Sequence, residues 1–231
     1  MRSRQTSIEF PCTWGGKRKG AGRKPAPGRR PRVSHDTRPS LASRFPVHVT
    51  VRLVAGMPRL RGHKAAKALR HAFVHGCNQG RFRICQFSVQ GNHVHLVCEA
   101  ADAIALARGI QGWKIRVTRR LNRLWHRQGT IWDDRYHSQI IKNLQQLRNT
   151  LCYVLQNARH HREQLPQWTN GIDPYSSAYY FNGWNDDSFR DDLSPPPDQP
   201  PPVAKPHTWF LNIGWKRHGL LGINEVPAPT N

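Results

Sequence analysis

The stretch Gly91-Asn92-His93-Val94-His95-Leu96 sets two histidines one residue apart. In a β-strand, residues i and i+2 leave the same face, roughly 6.5–7 Å apart at the backbone. Two imidazoles on one face can grip a single divalent ion. Downstream, Tyr153 and Asn157 are four residues apart, which is one turn along one side of a helix. The chain holds 13 histidines, so a His-x-His arises easily by chance. The pair gains weight only from the elements around it.

Those elements follow from periodicity. Val47 to Leu53 alternates apolar and polar residues and reads as a first strand. Lys64 to His75 carries Ala65, Ala68, Leu69, Ala72 and Phe73 on one helical stripe, and Gly76 stops it. Arg83–Val89 and His93–Glu99 are two strands joined at Gln90-Gly91-Asn92, a hairpin. From Ala101 to about Trp125 a long helix is expected. Leu106, Ile110, Trp113, Val117, Leu121 and Leu124 make its apolar face. Its other face carries Lys114, Arg116, Arg119, Arg120 and Arg123 without acidic partners one turn away, the pattern of a phosphate-facing surface. A turn and a fourth strand follow Gly129, and Asn143 to about Arg162 forms another helix. The first six elements are those of a ferredoxin-like βαββαβ unit, an α+β fold with a four-stranded antiparallel sheet. The tyrosine-bearing helix is added after it and crosses the open face. His93 and His95 then sit on one of the two central strands.

Composition narrows the partner. In 231 residues there are 36 Lys+Arg against 14 Asp+Glu, a formal charge of +22. Such an excess calls for a polyanion, nucleic acid first. The five scattered cysteines contain no C-x-x-C pair, which argues against a disulfide framework and a cysteine zinc site. No apolar run reaches membrane-spanning length and no signal peptide is visible, so a cytoplasmic protein without a membrane partner is expected. Residues 1–44 read as a disordered basic arm. Gly22-Arg23-Lys24-Pro25 and Gly28-Arg29-Arg30-Pro31 resemble minor-groove arms, the alternative being a plain polyelectrolyte tail. Residues 45–182 form the central domain. Residues 183–231 read as a proline-rich linker and tail.

Four of these pieces occur in one order: Val47-His48-Val49-Thr50, Gly91-Asn92-His93-Val94-His95-Leu96, Gly129-Thr130-Ile131-Trp132-Asp133-Asp134-Arg135-Tyr136, and Tyr153-Val154-Leu155-Gln156-Asn157. Together they resemble the single-tyrosine HUH transposases, the IS200-like family, and most of all its REP-associated tyrosine transposase branch. The chain departs from that pattern after Asn157, where Ala158-Arg159-His160-His161 replaces the usual Pro-Val-Arg-Ala-Gly.

The resemblance implies an enzyme that nicks and rejoins single-stranded, hairpin-bearing DNA through a 5′-phosphotyrosine. It assigns Tyr153 as nucleophile, and His93, His95 and Asn157 as ligands of Mg²⁺ or Mn²⁺. The enzyme would act as a monomer or homodimer. DNA contacts are expected from the α-helical cations above, from Arg23, Lys24, Arg29 and Arg30 of the arm, and from Arg135, Arg159 and Arg162. Gln156 is a rival ligand, Tyr136 a rival tyrosine, and Glu99 a supporting group by strand alternation. The competing reading is a non-catalytic or domesticated protein that binds hairpin DNA or RNA.

Overall fold

The computed structural model describes residues 38–160, 172–186 and 200–227, side chains of Ala158 and His160 excepted. The elements are β1 (Val47–Arg52), α1 (His63–Val74), β2 (Phe82–Val89), β3 (His93–Ala100), α2 (Ala103–Leu124), β4 (His137–Ile140) and α3 (Leu144–His160). A 3₁₀ turn at Ala178–Tyr180, a short helix α4 (Trp209–Asn212) and a second 3₁₀ turn at Gly214–His218 complete them. The sheet order is β2-β3-β1-β4 with every neighbouring pair antiparallel, the expected ferredoxin-like arrangement.

Alternation divides the sheet into two faces. Val47, Val49 and Val51 of β1, with Val94, Leu96 and Cys98 of β3, are buried against α1 and α2. Asp102 caps α2 by accepting a hydrogen bond from the Ala105 amide at 2.7 Å. The helix lies close to the sheet because Gly109 has no Cβ. One built there would sit 2.1 Å from the Phe82 ring. The opposite face carries His93, His95, Val97 and Glu99, and α3 packs over it through Leu147, Leu151, Val154 and Leu155.

The remaining segments fasten this second layer. A register shift between Ile84 and Gln86 moves β2 by one residue, so that Ile84 and Phe87 both face α1 and α2 while Cys85 joins the α3 layer. Asp173 forms a two-pronged ion pair with Arg61 at 2.9 and 3.0 Å, and the Arg61 guanidinium also donates to the Val89 carbonyl. Both side chains are almost wholly buried. Asp173→Ala leaves the guanidinium buried without that carboxylate, and a loss of about 3–5 kcal/mol is expected. Urea unfolding of the full chain measures it, and a midpoint within error of wild type would refute this account of the loop.

Packing extends beyond residues 45–182 on both sides. Packing begins before residue 45. Leu41 is buried, and Arg38 donates to the Tyr136 carbonyl at 2.7 Å with its guanidinium 3.7 Å above that ring. The stretch 200–227 also packs. Arg148 of α3 forms a two-pronged pair with Glu225 at 2.7 and 2.9 Å, and Ala204 donates to the Ile84 carbonyl. Proline content predicts an extended chain, but says nothing about where Trp215 and Leu211 between the prolines find apolar cover.

Candidate active site

The alternation that buries the valines of β1 turns His48, Thr50 and Arg52 to the α3 side. Strand register then sets Thr50 opposite His95 and Arg52 opposite His93. The two Nε2 atoms of His93 and His95 face each other at 3.0 Å. The outer nitrogens are held. His93 Nδ1 lies 2.8 Å from Asn92 Oδ1, and His95 Nδ1 lies 3.1 Å from both Thr50 Oγ1 and His48 Nε2. Burial above all, with a smaller contribution from His137, pushes His48 down to about 4, so its ring is neutral at pH 7. If His93 and His95 give their Nδ1 protons to these partners, both Nε2 lone pairs point at one spot.

Two lone pairs 3.0 Å apart repel unless a cation or proton lies between them. The spacing also suits two neighbouring ligands at about 2.1 Å from a six-coordinate ion. Asn157 supplies a further signal. It is fully buried, and among the described residues its amide makes no hydrogen bond of good geometry, its one recorded polar neighbour being the Tyr153 phenol. A buried amide is rarely left so. The donor set therefore fits a mixed nitrogen–oxygen divalent site, although among the described residues no group of three His, Cys, Asp or Glu gathers.

Tyr153 completes the cluster. Its ring meets the His95 ring edge-on with centroids 5.2 Å apart, and the His48 ring at 6.1 Å. Burial raises the phenol above its usual value, partly offset by the nearby Asn157 amide. Position 156 breaks the helix regularity, with φ −115° and ψ 16°. Its amide nitrogen donates to the Gly222 carbonyl at 2.6 Å, while among the described residues its buried amide oxygen, like the Asn157 amide, has no hydrogen-bond partner of good geometry.

Other expected residues are placed elsewhere. Glu99 shares the histidine face but accepts three 2.8 Å hydrogen bonds from the His207 and Thr208 amides and the Thr208 hydroxyl. It anchors the start of α4 and not a histidine, because the folded-back tail brings those donors to it. Tyr136 is buried against α1 and α2, across the sheet from Tyr153. Lys114, Arg116, Arg119, Arg120 and Arg123 lie on α2, also across the sheet, with Arg120 2.7 Å from His71 of α1. Arg135 precedes β4, and half-buried Arg159 lies on α3. Arg23, Lys24, Arg29, Arg30 and Arg162 lie outside the described residues.

Three residues of this cluster carry more than sequence reasoning allotted them: Thr50 and His48, which hold His95, and exposed Arg52 beside His93. The two-residue period of β1 was the available signal. Thr50→Val removes a partner of His95 Nδ1 with little change in volume. A Mn²⁺ affinity about 10-fold weaker or more is expected. Unchanged binding by calorimetry would mean that Thr50 does not orient the ring.

Residues 43–157 match the family model described as Transposase IS200 like. A solved structure of a REP-associated tyrosine transposase bound to a REP hairpin superposes with a TM-score of 0.52 at 17% identity. The match covers 76% of this chain and 100% of that one. No curated protein matches the chain. Among the described residues, no helix is long and apolar enough to cross a membrane.

Proposed function

Taking as its premise that the chain belongs, through residues 43–157, to the IS200-like transposase family, we propose that it cuts and rejoins single-stranded DNA through Tyr153. The observation that carries this reading is the contact of the Tyr153 ring with His95, whose Nε2 converges with that of His93. In the forward step the Tyr153 oxygen bonds to phosphorus and the bond to the 3′ oxygen breaks. The products are a 5′-phosphotyrosine and a 3′-hydroxyl. The reverse step lets a 3′-hydroxyl displace the tyrosine, so no nucleotide cofactor is consumed.

His93, His95 and Asn157 would hold Mg²⁺ or Mn²⁺, which supplies charge stabilisation to the scissile phosphate. Thr50, His48 and Asn92 keep the imidazoles aimed. Arg52, exposed and opposite His93 on the neighbouring strand, would bind a phosphate oxygen. Cations on α2 and in the basic arm hold flanking DNA. A hairpin is the expected substrate form, in keeping with the ligand of the superposed structure.

Labelled hairpin and unstructured oligonucleotides with Mn²⁺ test this. A protein–DNA adduct that survives denaturant is expected, and chelation of the metal removes it. Binding with no adduct at any metal concentration favours a protein that holds nucleic acid without cutting it. The raised phenol adds a pH dependence. Phenolate is scarce at pH 7, so the cleavage rate climbs from pH 7 to 9 by up to about tenfold per unit. A flat profile would show that loss of the phenolic proton does not limit the step.

A further inference from the structure

A cleft of about 720 Å³ lies between α2 and the connection 129–136, on the sheet face away from Tyr153. That volume suits a single small ligand. Ile110 and the edge of Trp132 give it an apolar wall. Lys114 and Arg119 give it positive charge, and Gln111 and Asp134 bring groups that donate and accept hydrogen bonds. Gln111 is exposed and spends its amide on no other described residue. A nucleotide needs this combination: a slot for the base, polar groups for the base edge and a cation for the phosphate.

The position ties the cleft to the cutting site. Leu53, just past β1, bridges to Trp132, and the Asp133 amide donates to the Arg52 carbonyl at 3.0 Å. Arg52 in turn stands opposite His93. Cleft and histidine pair therefore occupy one end of the sheet on opposite faces. From the histidine pair on β3 the sheet runs through β1 to the four-residue edge strand β4, with His137 and Gln139 exposed on the histidine side. His137 is two strand spacings, roughly 10 Å, from His95. A strand lying on Tyr153 reaches the cleft by turning round that edge.

We propose that this cleft takes one unstacked nucleotide of the bound DNA, a few positions from the phosphate attacked, and reads its base. The proposal rests on the single-strand transferase reading and names a specificity site for it. The full-length protein is first used to select its tightest ligand from a randomised single-stranded DNA pool. Every position of that ligand is then varied in competition binding. Wild type is expected to discriminate at one position by about tenfold or more. Ala107→Trp, which fills the cleft, and Gln111→Ala, which removes an exposed amide without touching the core, both flatten that position alone.

Variants that weaken every ligand equally would reduce the cleft to a non-specific phosphate contact and overturn the proposal. Discrimination that persists in both variants overturns it too. A wild type that forms tyrosine-linked DNA while the variants keep their base preference sinks the cleft and spares the transferase. A wild type without the adduct, whose base preference the variants lose, sinks the transferase and spares the cleft.

Discussion

Tyr153→Phe is expected to lower strand cleavage by a factor on the order of 10⁴ or more while single-stranded DNA still binds. The substitution removes one oxygen and keeps the ring that packs against His95 and His48 at 5.2 and 6.1 Å. The fold should therefore persist, and the loss should fall on the chemical step. Tyr136 faces α1 and α2, and Tyr175, Tyr179 and Tyr180 belong to the loop that follows Asp173. Single-turnover cleavage of a labelled oligonucleotide with Mn²⁺ gives the number. Retention of cleavage within tenfold of wild type would remove Tyr153 from the nucleophile's role.

His95→Ala has the second large effect. The ring stands at the centre of the cluster, touching His93 through Nε2 and Thr50 and His48 through Nδ1. Its removal deletes one of two converging imidazoles and leaves His48 and Thr50 without that partner. Mn²⁺ affinity should fall by about 100-fold or more, beyond the loss expected for removing an orienting partner, and cleavage should fall with it. The comparison with His48→Asn is informative. That change keeps a polar group near His95 Nδ1 while removing a ring that is neutral at pH 7. It should cost less metal affinity than loss of His95. If His95→Ala bound Mn²⁺ as wild type does, the convergence of the two histidines would be a packing feature only.

The sheet, its two supporting helices and the His93/His95 face were legible because each rests on short-range periodicity. Valines at 47, 49 and 51 fix which side of β1 is core, and the Gln90-Gly91-Asn92 turn pairs β2 with β3. What alternation could not show was the shift between Ile84 and Gln86, since Phe82 to Val89 is buried almost throughout and reads as one apolar run. Glu99 was misplaced for a different reason. Its side of the strand was right, but its partners come from residues 207 and 208, more than 100 positions away. Sequence separation likewise hid the Arg61–Asp173 and Arg148–Glu225 pairs, 112 and 77 positions apart, whose members carry no local mark of their pairing. In the site, Tyr153, Asn157 and the histidines stood out by residue type. Thr50 and Arg52 did not, because a threonine and an arginine in an alternating strand are ordinary until register sets them beside His95 and His93.

The most direct measurement is the identity of the residue joined to DNA. Wild-type protein is incubated with its preferred single strand and Mn²⁺, digested, and the nucleotide-bearing peptide is mapped by mass spectrometry. A phosphate link is expected on Tyr153, in the helix that carries Asn157 one turn further on. A link on any other side chain, or cleaved DNA with no covalent protein at any time point, would contradict that expectation.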